Sequence, residues 1–195
     1  MGQGHRIILA SGSPRRKELL GRICREFEVI VSDCEEAVAG TVPEEVTKEL
    51  SRQKAEAVAK NIPDAIIIGA DTVVSVDGEI LGKPKDRAEA YDMLKRLSGR
   101  THQVSTGVTL VRTGENGEMD YRYSFAETAL VRVSCLAEEE IHAYLDTDEP
   151  YDKAGAYGIQ GMFGRHIPGI EGDYNTVVGL PVCRLYQELK KLQVI

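Results

Sequence analysis

Tryptophan is absent from this chain of 195 residues, and aromatic residues make up only 6% of it. Cysteine is scarce, and no C-x-x-C pair occurs among the four, which are Cys24, Cys34, Cys135 and Cys183. This pattern disfavours a zinc site or a disulfide framework and favours reduced thiols. The apolar runs are shorter than the roughly 20 residues that span a bilayer, and the one near the N-terminus is too short for a signal peptide. We therefore predict a cytoplasmic protein that does not enter a membrane.

Positive charge is also in short supply, since the formal net charge is −7 at pH 7. A nucleic-acid-binding protein normally carries a basic face, so this balance argues against a nucleic-acid partner. It does not exclude an anionic small molecule, because a few cations focused in one cleft can outweigh a distant acidic surface. The hydrophobic fraction of 42% is ordinary for a globular protein, and we expect one domain over residues 1–195.

Apolar runs and helix signals alternate along the chain and predict an α/β fold with a mixed, twisted sheet and flanking helices. Strands are predicted over residues 7–10, 27–31, 65–76, 103–112, 121–133 and 176–178, with a tight turn at 77–78. Helices are predicted to follow Pro14, to span 43–60, 86–97 and 137–145, and to follow Pro181. The glycine-rich segment 152–172 is predicted to form a loop around a site.

The first candidate site is the sequence S-G-S-P-R-R at residues 11–16. Ser13 is suited to cap a helix that the following proline begins. The hydroxyls of Ser11 and Ser13, the guanidinium groups of Arg15 and Arg16 and free backbone N–H groups then converge, as in a phosphate site. A capped helix followed by two solvated arginines would carry the same letters, so this motif alone leaves both interpretations open.

The second candidate is Asp71, which lies inside the apolar run predicted as the third strand. An ionised carboxylate there is costly unless it meets a cation, a metal ion or several donors. Gly69, two residues earlier, allows a bulge or a close backbone approach that would aim Asp71 at a ligand. The alternative is that Asp71 caps a neighbouring helix at a strand end. We favour the functional interpretation, because only Thr72 is polar nearby.

Two lysines complete a cationic set of the size that a triphosphate needs. Lys54 lies along the apolar stripe of its predicted helix, which a snorkelling side chain explains equally well. Lys83 follows the predicted hairpin, and the next residue is a proline that holds it extended near Asp71.

An acidic cluster and a glycine-rich motif offer a metal ligand and a base-reading group. Asp33, Glu35 and Glu36 follow the second predicted strand. They would matter if one carboxylate reached Asp71 to share Mg²⁺, and otherwise they form a solvated loop. Gln160 lies among regularly spaced glycines, and its amide both donates and accepts, which suits the edge of a uracil or thymine ring.

Six motifs in this order resemble those of the Maf family across nearly the whole chain, and they are S-G-S-P-R-R, G-A-D-T-V-V, G-K-P, L-S-G-R-T-H-Q-V, D-K-A-G-A-Y-G-I-Q-G and V-G-L-P. The resemblance implies an elongated Maf/Ham1-like fold with two lobes around a central cleft. It also implies a nucleoside triphosphate pyrophosphatase that uses Mg²⁺, or another divalent cation such as Mn²⁺, and a homodimer.

Several residue roles follow from this resemblance alone. Asp71 resembles the family's general base and Glu35 its acidic metal-site residue, with Asp71 also near the metal. The residues expected to bind substrate are Ser11, Ser13, Arg15, Arg16, Lys54, Thr72, Lys83 and Gln160. Within that set, Arg15, Thr72 and Gln160 match the subgroup that hydrolyses dTTP and UTP.

Two alternative functions stay open at this point. A nucleotide-binding regulator of cell division or septum formation would keep the phosphate site but would not need Asp71. The same chemistry on 7-methyl-GTP or CTP would differ at the base-reading residues. His102 begins a predicted strand and is expected to be structural, since neither histidines nor cysteines have the partners that a covalent nucleophile needs.

Overall fold

The computed structural model describes residues 6–34, 37–38 and 40–195. Its strands are β1 (Arg6–Leu9), β2 (Glu28–Val29), β3 (Ala65–Val76), β4 (Glu79–Leu81), β5 (Thr101–Thr113), β6 (Met119–Arg132) and β7 (Gly169–Glu171). Its α-helices are α1 (Pro14–Leu20), α2 (Pro43–Ala59), α3 (Arg87–Leu97), α4 (Glu138–Leu145), α5 (Tyr174–Val178) and α6 (Val182–Lys191). None of these helices combines the length and apolar character that a bilayer crossing demands.

One sheet contains all seven described strands: six follow the order β2-β1-β3-β5-β6-β7, and β4 pairs with β3 off this path. The β1 strand pairs in parallel with β2 and β3, whereas β3, β5, β6 and β7 pair antiparallel in turn. The predicted α/β class with a mixed sheet and flanking helices is therefore confirmed. The predicted turn at Asp77 and Gly78 is also present, and it returns β4 antiparallel along the end of β3.

One edge of β3 is shared between two short strands and leaves a gap between them. Residues 65–68 of β3 pair with β1, and residues 74–76 pair with β4. The five residues 69–73 therefore have no strand beside them on that edge within the described part of the chain. Ligands of α/β proteins bind where strands end and the sheet order changes direction, so this gap is where a site is expected.

Helix α2 lies across one face of the sheet and is held unusually close to it by two glycines. A Cβ atom at Gly69 would stand 2.2 Å from the carbonyl oxygen of Ser51, and one at Gly107 would stand 2.3 Å from the carbonyl carbon of Thr47. The hydroxyls of Ser51 and Thr109 lie 2.8 Å apart across the contact. The predicted close approach at Gly69 is therefore real, and its partner is this helix.

The opposite face of the sheet carries two separate hydrophobic clusters. One packs α1 and α6 against the first half of β3, through residues such as Leu20, Leu185 and Ile68. The other packs α3 and α4 against the second half of β3, through residues such as Leu94 and Val74. Thr72 lies between the two clusters along the strand, at the level of the edge gap. The cleft predicted between two parts of the fold therefore opens beside β3.

Some predicted boundaries are wrong. The strand predicted over 176–178 is instead helix α5, because Asp173 caps it by accepting hydrogen bonds from the backbone N–H groups of Asn175 and Thr176. Only Glu28 and Val29 of the second predicted strand pair with β1. The predicted loop 152–172 contains 3-10 turns as well as strand β7.

Candidate active site

A cleft of about 840 Å³ opens at the gap beside β3. Its walls come from α1, α2, the turn after β4 and the glycine-rich segment that follows α4. The charged side chains on its walls are Arg15, Arg16, Lys54, Asp71, Lys83, Glu149, Asp152 and Lys153. Five are basic and three are acidic, so these described residues give the cleft a net positive charge in a chain of net charge −7. Such a cleft attracts a polyanion.

Asp71 and Lys54 form an ion pair on the floor of the cleft. The Nζ of Lys54 donates to Oδ1 of Asp71 at 2.6 Å, and the two side chains are only 13% and 14% exposed. Asp71 and Thr72 are the two half-buried residues of a strand that is otherwise buried. Asp71 therefore meets a cation, as its apolar surroundings require, and helix α2 supplies that cation because it lies so close to β3.

The loop before α1 forms as the sequence predicts. Ser13 caps the helix and its hydroxyl accepts from the backbone N–H of Arg16 at 3.5 Å. Ser13 and Arg15 line the cleft, and a guanidinium nitrogen of Arg15 lies 3.9 Å from a carboxylate oxygen of Asp152 across it. Ser11 is buried behind this wall, where its hydroxyl accepts from the backbone N–H of Ser13 at 3.3 Å. Ser11 therefore supports the loop from behind the cleft wall.

Arg16 ties α1 to strand β3, to the loop after β1 and to the residue that follows α5. Its Nε donates to the carbonyl oxygen of Gly179 at 2.9 Å, and its terminal nitrogens donate to the hydroxyls of Ser11 at 3.2 Å and Thr72 at 3.0 Å. Arg16 lines the cleft, yet these hydrogen bonds direct its guanidinium at protein acceptors. Its placement fits a group that orders Thr72 better than a side chain that swings towards phosphate.

Glu149, just before the glycine-rich segment, and Asp152 and Lys153 at its start line the cleft, although the sequence assigned none of them a role. The carboxylate of Glu149 accepts from the hydroxyl of Tyr144 at 2.9 Å and from the backbone N–H of Met162 at 2.9 Å. A Cβ at Gly161 would lie 2.1 Å from Oε1 of Glu149, so this glycine makes room for the carboxylate. The available signal was the glycine spacing, which indicated a close packing partner.

Lys153 and Asp152 form another ion pair of the cleft. The Nζ of Lys153 donates to Asp152 at 2.5 Å and to the carbonyl oxygen of Glu149 at 2.7 Å. Burial opposes ionisation of Asp152, but the hydrogen bond from Lys153 and the charges of Lys153 and Arg15 outweigh it and hold the pKa of Asp152 below its usual value. Asp152 is therefore an anion that neutralises part of the basic wall.

The remaining predicted residues divide into those in the cleft and one outside the described chain. Thr72, Lys83 and Gln160 all line the cleft. Glu35, the predicted metal-site residue, lies outside the described residues, as does its neighbour Glu36. The roles assigned to these residues stay predictions.

The described residues include no group of three or more acidic, histidine or cysteine side chains placed to hold a metal ion. Asp71 nevertheless offers a carboxylate inside a cleft that suits a polyphosphate. Mg²⁺ in nucleotide enzymes is commonly held by one or two carboxylates together with substrate phosphates. Asp71 therefore meets the chemical requirement for one such ligand.

His102 and Tyr157 form a buried pair beneath the cleft. The Nε2 of His102 lies 2.7 Å from the hydroxyl of Tyr157, and among the described residues nothing hydrogen-bonds its Nδ1. His102 is 2% exposed, and burial lowers its pKa to about 4. This pair joins the glycine-rich segment to β5, which agrees with the expected structural role of His102.

This pKa shift makes the stability depend on pH. Between the ordinary histidine pKa of about 6.5 and the folded value of about 4, the unfolded chain binds a proton that the folded chain does not. Stability from this group is therefore complete above pH ~6.5 and is lost as the pH falls towards 4. We expect His102→Gln to reduce the loss of unfolding free energy between pH 7 and pH 4 by about 3 kcal/mol. Urea unfolding at several pH values measures this difference.

The matched control is His142→Gln, because His142 is exposed and stacks on Tyr91 at the surface. Its unfolding free energy should follow the wild-type pH profile. Equal pH profiles for wild type and His102→Gln would mean that His102 is protonated in the folded protein after all.

Comparison with known proteins places this cleft in a defined class. The Maf-like protein family model matches residues 6–192. Proteins named dTTP/UTP pyrophosphatase are 52% identical in Lachnoclostridium phytofermentans, over 96% of this chain and 95% of that protein, and 49% identical in Bacillus anthracis, over 97% and 96%. The Staphylococcus aureus Ham1 protein superposes with a TM-score of 0.56 at 16% identity, covering 96% of this chain and 99% of that chain, so it shares the fold.

The fold and the cationic cleft define an α/β protein built to hold a polyanionic small molecule. The chain belongs to the Maf family, as its sequence motifs predicted. The predicted likeness to the Ham1 fold is also confirmed.

Proposed function

We propose that this protein is a nucleoside triphosphate pyrophosphatase that hydrolyses dTTP and UTP to the monophosphate and pyrophosphate. Relatives at about half identity over nearly their whole length carry the name dTTP/UTP pyrophosphatase. The cleft supports the same activity, because its basic walls suit a triphosphate and its floor holds a carboxylate. A regulator that only binds nucleotide would not require that carboxylate.

The observation that carries the proposal is the Lys54–Asp71 pair on the cleft floor. Lys54 engages Oδ1 of Asp71, and the second carboxylate oxygen is then the group that takes a proton from the attacking water. The attack occurs at the α-phosphorus. The ion pair fixes the carboxylate before substrate arrives, so little reorganisation is needed during the reaction.

The basic walls stabilise the charge that builds on the departing pyrophosphate. Arg15, Lys83 and Lys153 line the cleft from three different elements, so they can surround a triphosphate. Such positioned cations supply much of the catalysis in phosphoryl transfer. Alternatively, Asp71 would hold Mg²⁺ together with the substrate phosphates instead of taking the proton itself, and the bound ion would lower the pKa of the attacking water and neutralise charge on the phosphate oxygens. The predicted second ligand is Glu35.

A cytoplasmic location, a homodimeric state and the absence of a nucleic-acid partner belong to the same proposal. The acidic charge of the chain supports the last of these. The isolated thiols support a reducing compartment. Size-exclusion chromatography with light scattering tests the dimer.

Hydrolysis in ¹⁸O-labelled water tests both the substrate and the bond that is cut. With Mg²⁺ present, we expect dTTP and UTP to be turned over faster than ATP, GTP, CTP and 7-methyl-GTP. We expect the label in the monophosphate, because the water attacks the α-phosphorus. Label in pyrophosphate would contradict this mechanism, and preference for 7-methyl-GTP would contradict the substrate. Nucleotide binding with no turnover would point to a regulator.

A further inference from the structure

Thr72 lies in the cleft beside Asp71, with its side chain on the opposite face of β3. Among the described residues, two groups hydrogen-bond to its hydroxyl. The Nη2 of Arg16 lies 3.0 Å away, and the hydroxyl oxygen of Thr106 lies 2.9 Å away. Thr106 is fully buried on the neighbouring strand β5, where it is paired directly with Thr72. The direction of these two hydrogen bonds decides what Thr72 can offer to a ligand.

The direction of the hydrogen bond between Thr72 and Thr106 follows from the next bond in the series, from Thr106 to Thr176. The hydroxyl of Thr106 donates to the carbonyl oxygen of Thr176 at 2.7 Å. A hydroxyl has one hydrogen, so Thr106 can only accept from Thr72. Arg16 has donors and no acceptor, so Thr72 accepts from Arg16. The hydrogen of Thr72 is therefore used within the protein, and a ligand in the cleft meets only its remaining lone pair.

A hydrogen-bond acceptor at this position can bind the parts of a nucleotide that donate a hydrogen and not those that only accept one. Ionised phosphate oxygens carry no hydrogen, so they cannot bind Thr72 through a hydrogen bond. The imide N3–H of uracil or thymine can donate to it, whereas N3 of cytosine is itself an acceptor. A buried polar site that is built for one such partner strongly rejects the analogue that lacks it.

We propose that the bonds from Arg16 through Thr72 and Thr106 to the carbonyl of Thr176 hold the Thr72 hydroxyl as an acceptor for the imide N–H of the pyrimidine base. Thr106 is then a positioning residue that sets base selectivity without touching the substrate. This inference rests on the proposed function, since it assumes that a pyrimidine triphosphate occupies the cleft.

Thr106→Val tests this inference because it removes the acceptor behind Thr72 with little change in volume. The Thr72 hydroxyl is then free to rotate and to donate to N3 of cytosine. We expect the ratio of kcat/KM for UTP over CTP to fall at least tenfold, with part of the change arising from a gain on CTP. Thr106→Ser keeps the hydroxyl and should keep the wild-type ratio. Thr109→Val removes a different buried hydroxyl of β5, which bonds to Ser51 and Ser124, and should also keep it.

Two substrate analogues locate the group of the substrate that donates to Thr72. N3-methyl-UTP lacks the imide hydrogen, so wild type should discriminate against it as strongly as against CTP. The UTP to dUTP ratio should not change in Thr106→Val. A change there instead would place a ribose hydroxyl against Thr72 and overturn the inference. An unchanged UTP to CTP ratio in Thr106→Val would also overturn it, because a merely structural residue lowers both values together.

Binding measurements separate this inference from the proposed function. Titration calorimetry with the α,β-imido analogues of UTP and CTP needs no turnover. Preferential binding of the UTP analogue that is lost in Thr106→Val would support the acceptor model even in a protein without hydrolytic activity. Turnover of UTP and CTP at equal rates by wild type would overturn the acceptor model and leave the pyrophosphatase activity standing.

Discussion

Asp71→Asn should lower kcat/KM for dTTP and UTP by about 1,000-fold, the scale of a lost general base. The amide keeps the size of the side chain and an oxygen that can still accept from Lys54, which now bonds Asp71 at 2.6 Å. It cannot take up the proton of an attacking water. Pyrophosphate release under saturating Mg²⁺, with circular dichroism to verify folding, measures the effect.

Asp77→Asn is the matched control for this substitution. Asp77 lies in the turn that ends the same strand, where it pairs with Arg100 at the surface. It has a positive φ of 55°, which asparagine tolerates well. We expect its activity to stay within twofold of wild type. If Asp71→Asn retained more than a tenth of wild-type activity, Asp71 would not be the base.

The elements predicted most accurately from the sequence are those whose structure is determined by neighbouring residues in the chain. The apolar, β-branched run of β3 and the turn that follows it were predicted with their observed bounds, and so was the cap at Ser13. The strand predicted at Thr176 failed because the cap at Asp173 outweighs the β-propensity of a short segment. Propensity over so few residues is a weak guide when a side chain can cap a helix turn.

The candidate site was predictable as a set of residues but not as a set of contacts. Asp71 was identified from its apolar surroundings, yet its pairing with Lys54 depends on how closely α2 lies against β3. The bonds that fix Arg16 reach Gly179, which is 163 residues away in sequence. No local sequence pattern predicts a contact between residues so far apart in the sequence. Glu149 was missed because only the packed structure shows why Gly161 has no side chain.

Gly69→Ala should destabilise the protein and weaken its activity together. The new methyl group would meet backbone and side-chain atoms of α2, at 2.2 Å from the carbonyl oxygen of Ser51 and 2.9 Å from the Cβ of Ala55. Backbone cannot rotate away, so the helix must move off the sheet. We expect a cost of about 3 kcal/mol, typical of overpacking, and a fall in Tm of roughly 6–12 °C for a chain of this size. Calorimetry measures the shift.

The activity of the folded Gly69→Ala protein tests whether this packing builds the active site. Lys54 is three residues beyond Ser51 on the same helix, so a helix that moves away from Gly69 carries Lys54 away from Asp71. We expect kcat to fall at least tenfold well below the Tm. Gly114→Ala is the control, since its methyl group would meet only the flexible side chain of Asn116 in the β5–β6 turn. A lowered Tm with full kcat would mean that α2 accommodates the methyl group without displacing Lys54. The close packing of α2 against Gly69 would then contribute to stability alone.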